Sequence, residues 1–196
     1  MVVAIAAIAF IACKSEQKQI IVLSKGDATI NQQKKTIEAS NGSGHEEKTF
    51  LEKEASASYT VKGPTGEATV TFDKAGIYLV NAKADTLLGA QQNYVQAEQT
   101  GAVMTQEVLK QKIDSLEKMV VGKNISEANR NFLILPNQAA FLTSNENAII
   151  ITPFRPMKAI TSKDGQAPEV YRFYSIREIR ETIEKLKALT GPTPSK

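Results

Sequence analysis

His45 is the only histidine of this 196-residue chain and Cys13 its only cysteine, so chemistry needing an imidazole or a thiolate has one place for each. His45 stands beside Glu46 and Glu47. A histidine among carboxylates can be part of a zinc site, but such a site needs further nitrogen or sulfur ligands, which nothing nearby supplies. A Ser-His-acid triad would have to use this same imidazole, and the chain carries no GxGxxG, P-loop, HExxH or CxxC pattern. Glu46 and Glu47 could act as the carboxylate pair of a hydrolase. In the Gly/Ser-rich stretch NGSGHEE, Asn41 to Glu47, they read more simply as solvated loop charges, with His45 a solvated loop histidine. The expectation is no catalytic group, no metal and no cofactor. The other stretch able to do chemistry is ITPFRPM, Ile151 to Met157, where two prolines stiffen a segment offering Phe154, Arg155 and Met157. These three are candidate binding residues, set against the alternative that Phe154 is core and Arg155 merely solvated. Leu87, Leu88 and Gly89 form a further candidate ligand loop.

Cys13 closes the run MVVAIAAIAFIAC and is followed by KSEQKQ. A membrane-spanning helix needs about 20 apolar residues, more than this run holds. Its length suits the apolar part of a secretory signal, or a buried core segment. The last four residues, FIAC from Phe10 to Cys13, resemble the lipobox of bacterial lipoproteins: a large apolar residue three places before the cysteine and a small one directly before it. The resemblance implies that residues 1–12 are a signal peptide, that Cys13 receives a diacylglyceryl group, and that 13–19 form a lipidated tether. Lys14 after the cysteine, where Asp would imply retention at the inner membrane, implies transfer to the outer membrane, facing the periplasm or the outside. Each buried acyl CH₂ is worth about 0.8 kcal/mol, so a multiply acylated cysteine holds firmly.

The elements that must position these groups follow from pattern. With one cysteine there is no disulfide framework, and the fold depends on its core. Ile20 to Ser24 is a β-branched strand run, and Ile37 centres a weaker one. In Ser58 to Phe72, Tyr59 and Val61, then Ala68, Val70 and Phe72, alternate with polar residues on either side of GPTG, the period of two strands joined by a turn. DKAG then leads into IYLV. Tyr94 and Val95 suit a last strand. Leu109, Ile113, Leu116 and Val120 form one helical stripe closed by Gly122. Three short apolar runs between Asn131 and Phe154 read as a small β-unit, and VYRFYS as a strand. Ser175 and Glu178 make a capping box for a helix whose stripe is Ile176, Ile179, Ile183 and Leu186, stopped by Gly191 and Pro192.

The run TFDKAGIYLV, Thr71 to Val80, resembles the corner of immunoglobulin-like and PKD-like domains, with Phe72, Asp73, Gly76, Tyr78 and Val80 in the pattern positions. It implies a corner in which the Tyr78 hydroxyl bonds back to the upstream backbone. The chain departs from those families in having no tryptophan. The expected fold class is α+β: an immunoglobulin-like antiparallel β-sandwich over 20–98, then a smaller α+β unit over 99–190 with a long C-terminal amphipathic helix, and a disordered tail over 191–196. A net charge of +3 is too small to imply nucleic acid. The expected function is a non-catalytic, membrane-anchored interaction module for an envelope protein or polymer. A structural accessory subunit of an envelope complex is the alternative, with a carboxylate-dependent hydrolase behind it.

Overall fold

A computed structural model describes residues 17–92, 105–126, 128–155 and 168–190. Cys13, Met157, Tyr94, Val95, the expected signal peptide and the expected tail lie outside them. The middle of the molecule is a four-stranded sheet in the order β10-β7-β1-β4, built from β1 (Lys18–Lys25), β4 (His45–Glu52), β7 (Gly76–Asn81) and β10 (Gln138–Thr143). β1 runs parallel to β7 and antiparallel to β4, and β10 is antiparallel to β7. Ile20, Val22, Tyr78 and Val80 enter a core on one side of this sheet, and Ile21, Leu23, Ile77 and Leu79 enter a second core on the other. A strand covered on both faces keeps no solvent side, which is why IIVL and IYLV are unbroken apolar runs.

The first core is closed by a second sheet, ordered β2-β3-β5-β6: β2 (Ala28–Asn31), β3 (Thr36–Ala39), β5 (Ala57–Gly63) and β6 (Gly66–Phe72). Tyr59, Val61, Val70 and Phe72 face inward from the β5/β6 hairpin, as their alternation predicts. The second core is closed by a third sheet, ordered β11-β12-β8-β9: β8 (Leu87–Gln92), β9 (Asn131–Ile134), β11 (Ile149–Ile151) and β12 (Val170–Ser175). Leu87, Tyr171 and Phe173 point into that core. Leu88, on the opposite face of the same sheet, packs with Ile113 and Met119 of α1 (Gln106–Val120) and with Ile179 and Ile183 of α2 (Ile176–Thr190). The layers therefore run sheet, sheet, sheet, helix pair. Each apolar side chain so buried contributes about 1.5 to 3 kcal/mol, and no single layer could stand alone.

Several expectations change. Hydrogen-bonded ladders cross position 98: β10 pairs with β7, and β8 pairs with both β9 and β12. The stretch between Asn131 and Phe154 does not form a unit of its own, because β9 and β11 join one sheet while β10 joins another. Leu87, Leu88 and Gly89 are not a ligand loop. Both leucines are fully buried in β8, and Gly89 lacks a side chain because a Cβ there would overlap the Phe173 ring. The loop of NGSGHEE stops at Gly44, so His45, Glu46 and Glu47 begin strand β4.

β1 also gives the molecule two distinguishable ends. Where it enters, Lys18 stands opposite Glu52 and Gly76; where it leaves, Lys25 stands opposite His45. At roughly 3.3 Å per residue these ends lie about 23 Å apart. At the entry end Glu52 is 5% exposed. It accepts from the Tyr59 hydroxyl at 2.6 Å, the Lys35 ammonium at 2.8 Å and the Lys53 and Glu54 N–H groups at 2.8 and 3.0 Å. Burial alone would raise its pKa, but these donors outweigh it and hold the carboxyl at about 2.

Candidate functional site

The exit end gathers groups from four elements. His45, the first residue of β4, stacks on Phe154 with ring centroids 4.2 Å apart and planes inclined by 22°. Phe154 sits in the turn after β11 with φ of 63°, a left-handed conformation that a bulky side chain adopts only when its surroundings impose it. The surroundings here are visible. The Phe154 N–H donates to Glu178 Oε1 at 3.0 Å, the Arg155 N–H to the Thr152 carbonyl at 3.3 Å, and Arg172 Nη1 to the Arg155 carbonyl. Thr152 Oγ1 donates to Glu47 Oε2 at 2.9 Å, fastening the turn to β4. Glu178 is shared: its other oxygen accepts from the Ser175 N–H at 2.8 Å while its own N–H donates to Ser175 Oγ at 3.1 Å. The capping box that starts α2 thus also holds the Phe154 turn.

Lys83 completes the cluster from the β7–β8 link. It is 4% exposed, and its Nζ lies over the Phe154 ring, 5.6 Å from the centroid. Burial pushes the Lys83 ammonium below its ordinary pKa, with Lys25 adding to the effect while Asp85 and Glu178 oppose it. His45 is likewise lowered, first by burial, then by Lys83, Lys25 and Arg177, with Glu178 opposing. A neutral imidazole against the Phe154 face is therefore the favoured form near neutral pH.

The space enclosed by His45, Glu47, Lys83, Thr152 and Arg155 is about 20 Å³, enough for one water molecule and too small for a sugar ring or a peptide side chain. Anything larger than a water molecule can meet this end only at its outer surface. There Phe154 is 42% exposed and Arg155 is exposed as well, so neither is core. Among the described residues no three His, Cys, Asp or Glu side chains gather as metal ligands would, and no helix is long and apolar enough to cross a membrane.

Sequence reading singled out His45, Glu47, Phe154 and Arg155 separately, and the fold brings them together. It missed Lys83, a lone lysine after an apolar strand, which carries no local sign of burial. It also missed the second task of Glu178, whose capping partner was legible and whose turn partner was not.

The corner residues stand at the opposite end. The Tyr78 hydroxyl accepts from the Asp73 and Lys74 N–H groups at 3.1 and 2.8 Å and donates to Asp73 Oδ1 at 3.3 Å. Gly76 has φ of 131°, and a Cβ on it would overlap the Thr143 carbonyl oxygen and lie 2.8 Å from Ser144 Cα.

The arrangement is that of a β-rich α+β protein with three sheets and two helices among the described residues. Set against known proteins, the chain matches no family model, no curated protein and no solved structure.

Proposed function

We propose that this chain is a membrane-anchored envelope lipoprotein acting as a non-catalytic binding module, with Cys13 carrying the lipid and the surface around Phe154 and Arg155 meeting an envelope protein or polymer. The observation that carries this reading is position. Cys13 lies five residues before Lys18, at the entry end of β1, whereas His45, Phe154 and Arg155 gather at the exit end. A tether at the first end turns the second away from the bilayer. A strained turn fixed by partners from β4, β12 and α2 is also what a preformed recognition surface requires, since ordering costs are met on folding rather than on binding. The bonds of Tyr78 to the Asp73 and Lys74 backbone favour an immunoglobulin-like ancestry for the two sheets around the first core.

Cys13→Ser is expected to release the protein from the membrane fraction or to leave a larger, unprocessed form; unchanged partition and mass would remove the lipoprotein reading. For the binding part, a partner cross-linked by the native chain in intact cells should lose at least about tenfold of its yield with Phe154→Ala and Arg155→Ala together, a loss of some 1.4 kcal/mol. Equal yield would place recognition elsewhere.

A further inference from the structure

The helix pair ends at the same end of the molecule as Lys18. The Ile176 N–H donates to the Thr86 carbonyl at 3.1 Å, so α2 starts at the exit end, beside the β7–β8 link. Lys187 Nζ lies 2.9 Å from Glu117 Oε1, which brings the last turns of α2 and α1 together. Just beyond α1, the Asn124 carbonyl accepts from Asn131 Nδ2 at 3.2 Å. The neighbouring Arg130 pairs with Glu169 at 2.9 Å, and Glu169 accepts from Asn145 at 3.0 Å. Asn145 is two residues past Thr143, which stands opposite Ile77 in β7, next to Gly76 and hence to Lys18. Both helix C-termini therefore lie at the entry end of β1.

What they expose there is unlike a solvated helix end. Val121 is 66% and Leu189 69% exposed, the two most exposed large apolar side chains among the described residues. On the same helix ends stand Lys118, Lys123, Lys185 and Lys187, all exposed, with Glu117 and Glu184 exposed between them. Lys187 is engaged by Glu117 and Glu184, whereas Lys118 and Lys123 have no ion-pair partner among the described residues. Exposed apolar groups beside two lysines that no carboxylate among the described residues neutralises match a bilayer whose headgroups are anionic.

We infer that the C-terminal ends of α1 and α2 form a second membrane contact, resting Val121 and Leu189 on an anionic lipid surface and fixing the orientation that the anchor leaves free. The inference rests on the lipoprotein reading, because five residues from Cys13 to Lys18 span at most about 18 Å and so keep the entry end close to the bilayer. A lipid tether alone would let the domain swivel. A contact some layers away from β1 makes two points of support, holding the Phe154 surface outward.

The test uses the full chain, lipidated and reconstituted into vesicles of phosphatidylethanolamine and phosphatidylglycerol, with one added cysteine bearing a nitrobenzoxadiazole probe. Val121→Cys reports the entry end. Gly44→Cys, where a side chain meets open space, reports the exit end. Headgroup-nitroxide lipids should quench the probe at 121 several-fold more than the probe at 44, and Lys118→Glu with Lys123→Glu should abolish that difference without detaching the protein. Equal quenching at both positions on a chain that floats with the vesicles would overturn the membrane contact and leave the anchor standing. Maleimide labelling of the unsubstituted chain at Cys13 would show an unmodified thiol, and anchor and contact would fall together.

Discussion

Tyr78 serves two backbone donors with one oxygen, and its ring packs edge-on against Phe72 and Phe141. Tyr78→Phe keeps the packing and strands the Asp73 and Lys74 N–H groups, so it should cost about 1 to 3 kcal/mol, read as a lower denaturant midpoint at unchanged slope. Gly76→Ala adds both a backbone penalty and an overlap with Thr143, and should cost at least about as much. If neither midpoint moves, the corner contributes nothing. Glu52 makes part of the stability acid-sensitive. Its carboxyl titrates at about 2 in the fold against an ordinary 4.5, so the stability it confers is complete above about 4.5 and is lost as pH falls toward 2. The amount is on the order of 3 kcal/mol. Glu52→Gln should be less stable than the native chain at neutral pH, with a flatter decline through that acid window. His45 follows the same sign: burial first, then Lys83, Lys25 and Arg177 against Glu178, hold its folded pKa below the ordinary 6.5, so what the neutral imidazole contributes is complete above about 6.5 and is lost as pH falls below it. His45→Ala should leave global stability within about 1.5 kcal/mol, the worth of an aromatic pair, while hydrogen exchange at the Phe154 amide quickens.

The β5/β6 hairpin was legible because one of its faces is wet, and alternation is what a wet face writes into a sequence. β1 and β7 were legible as strands, but their continuous apolar runs meant something further: cover on both sides. β4 hid behind charge. HEEKTFLE is an edge strand, exposed over much of its length, from which Lys48, Phe50 and Glu52 turn toward the first core side, Lys48 donating to the Ala28 carbonyl at 2.6 Å. The meeting of Glu47 with Thr152, 105 residues apart, is a product of sheet order and could not be read locally. The capping box was readable, since Ser175 and Glu178 are adjacent on the first turn whatever the fold. Ser175→Ala should cost about 1 kcal/mol by removing the cap while leaving the Phe154 turn ordered. Glu178→Ala should cost more and also loosen the turn, because it removes the Phe154 N–H acceptor as well. Amide exchange at Phe154, compared between the two variants, separates cap from clamp.

The three stacked sheets make the halves of the chain depend on one another. A fragment ending at residue 98 would keep β1 and β7 but lose β10, β12 and the helix layer, baring Ile21, Leu23, Ile77 and Leu79. At about 1.5 to 3 kcal/mol each these side chains represent about 6 to 12 kcal/mol, comparable to the whole stability of an ordinary domain. Such a fragment should show no cooperative thermal transition; a sharp one would establish the first half as an independent domain.

β1 is both the first strand among the described residues and an inner one. A pull transmitted through the residues ahead of Lys18 acts along the strand's own axis, with β4 bonded along one side and β7 along the other. Both ladders must slide together before either yields, so the load is borne in shear across two rows of hydrogen bonds instead of being peeled open one bond at a time. An edge strand in that place would unzip. Stretched from the residues ahead of Lys18, this protein should resist at forces well above those that peel a hairpin, and the strand that takes the strain is an inner one.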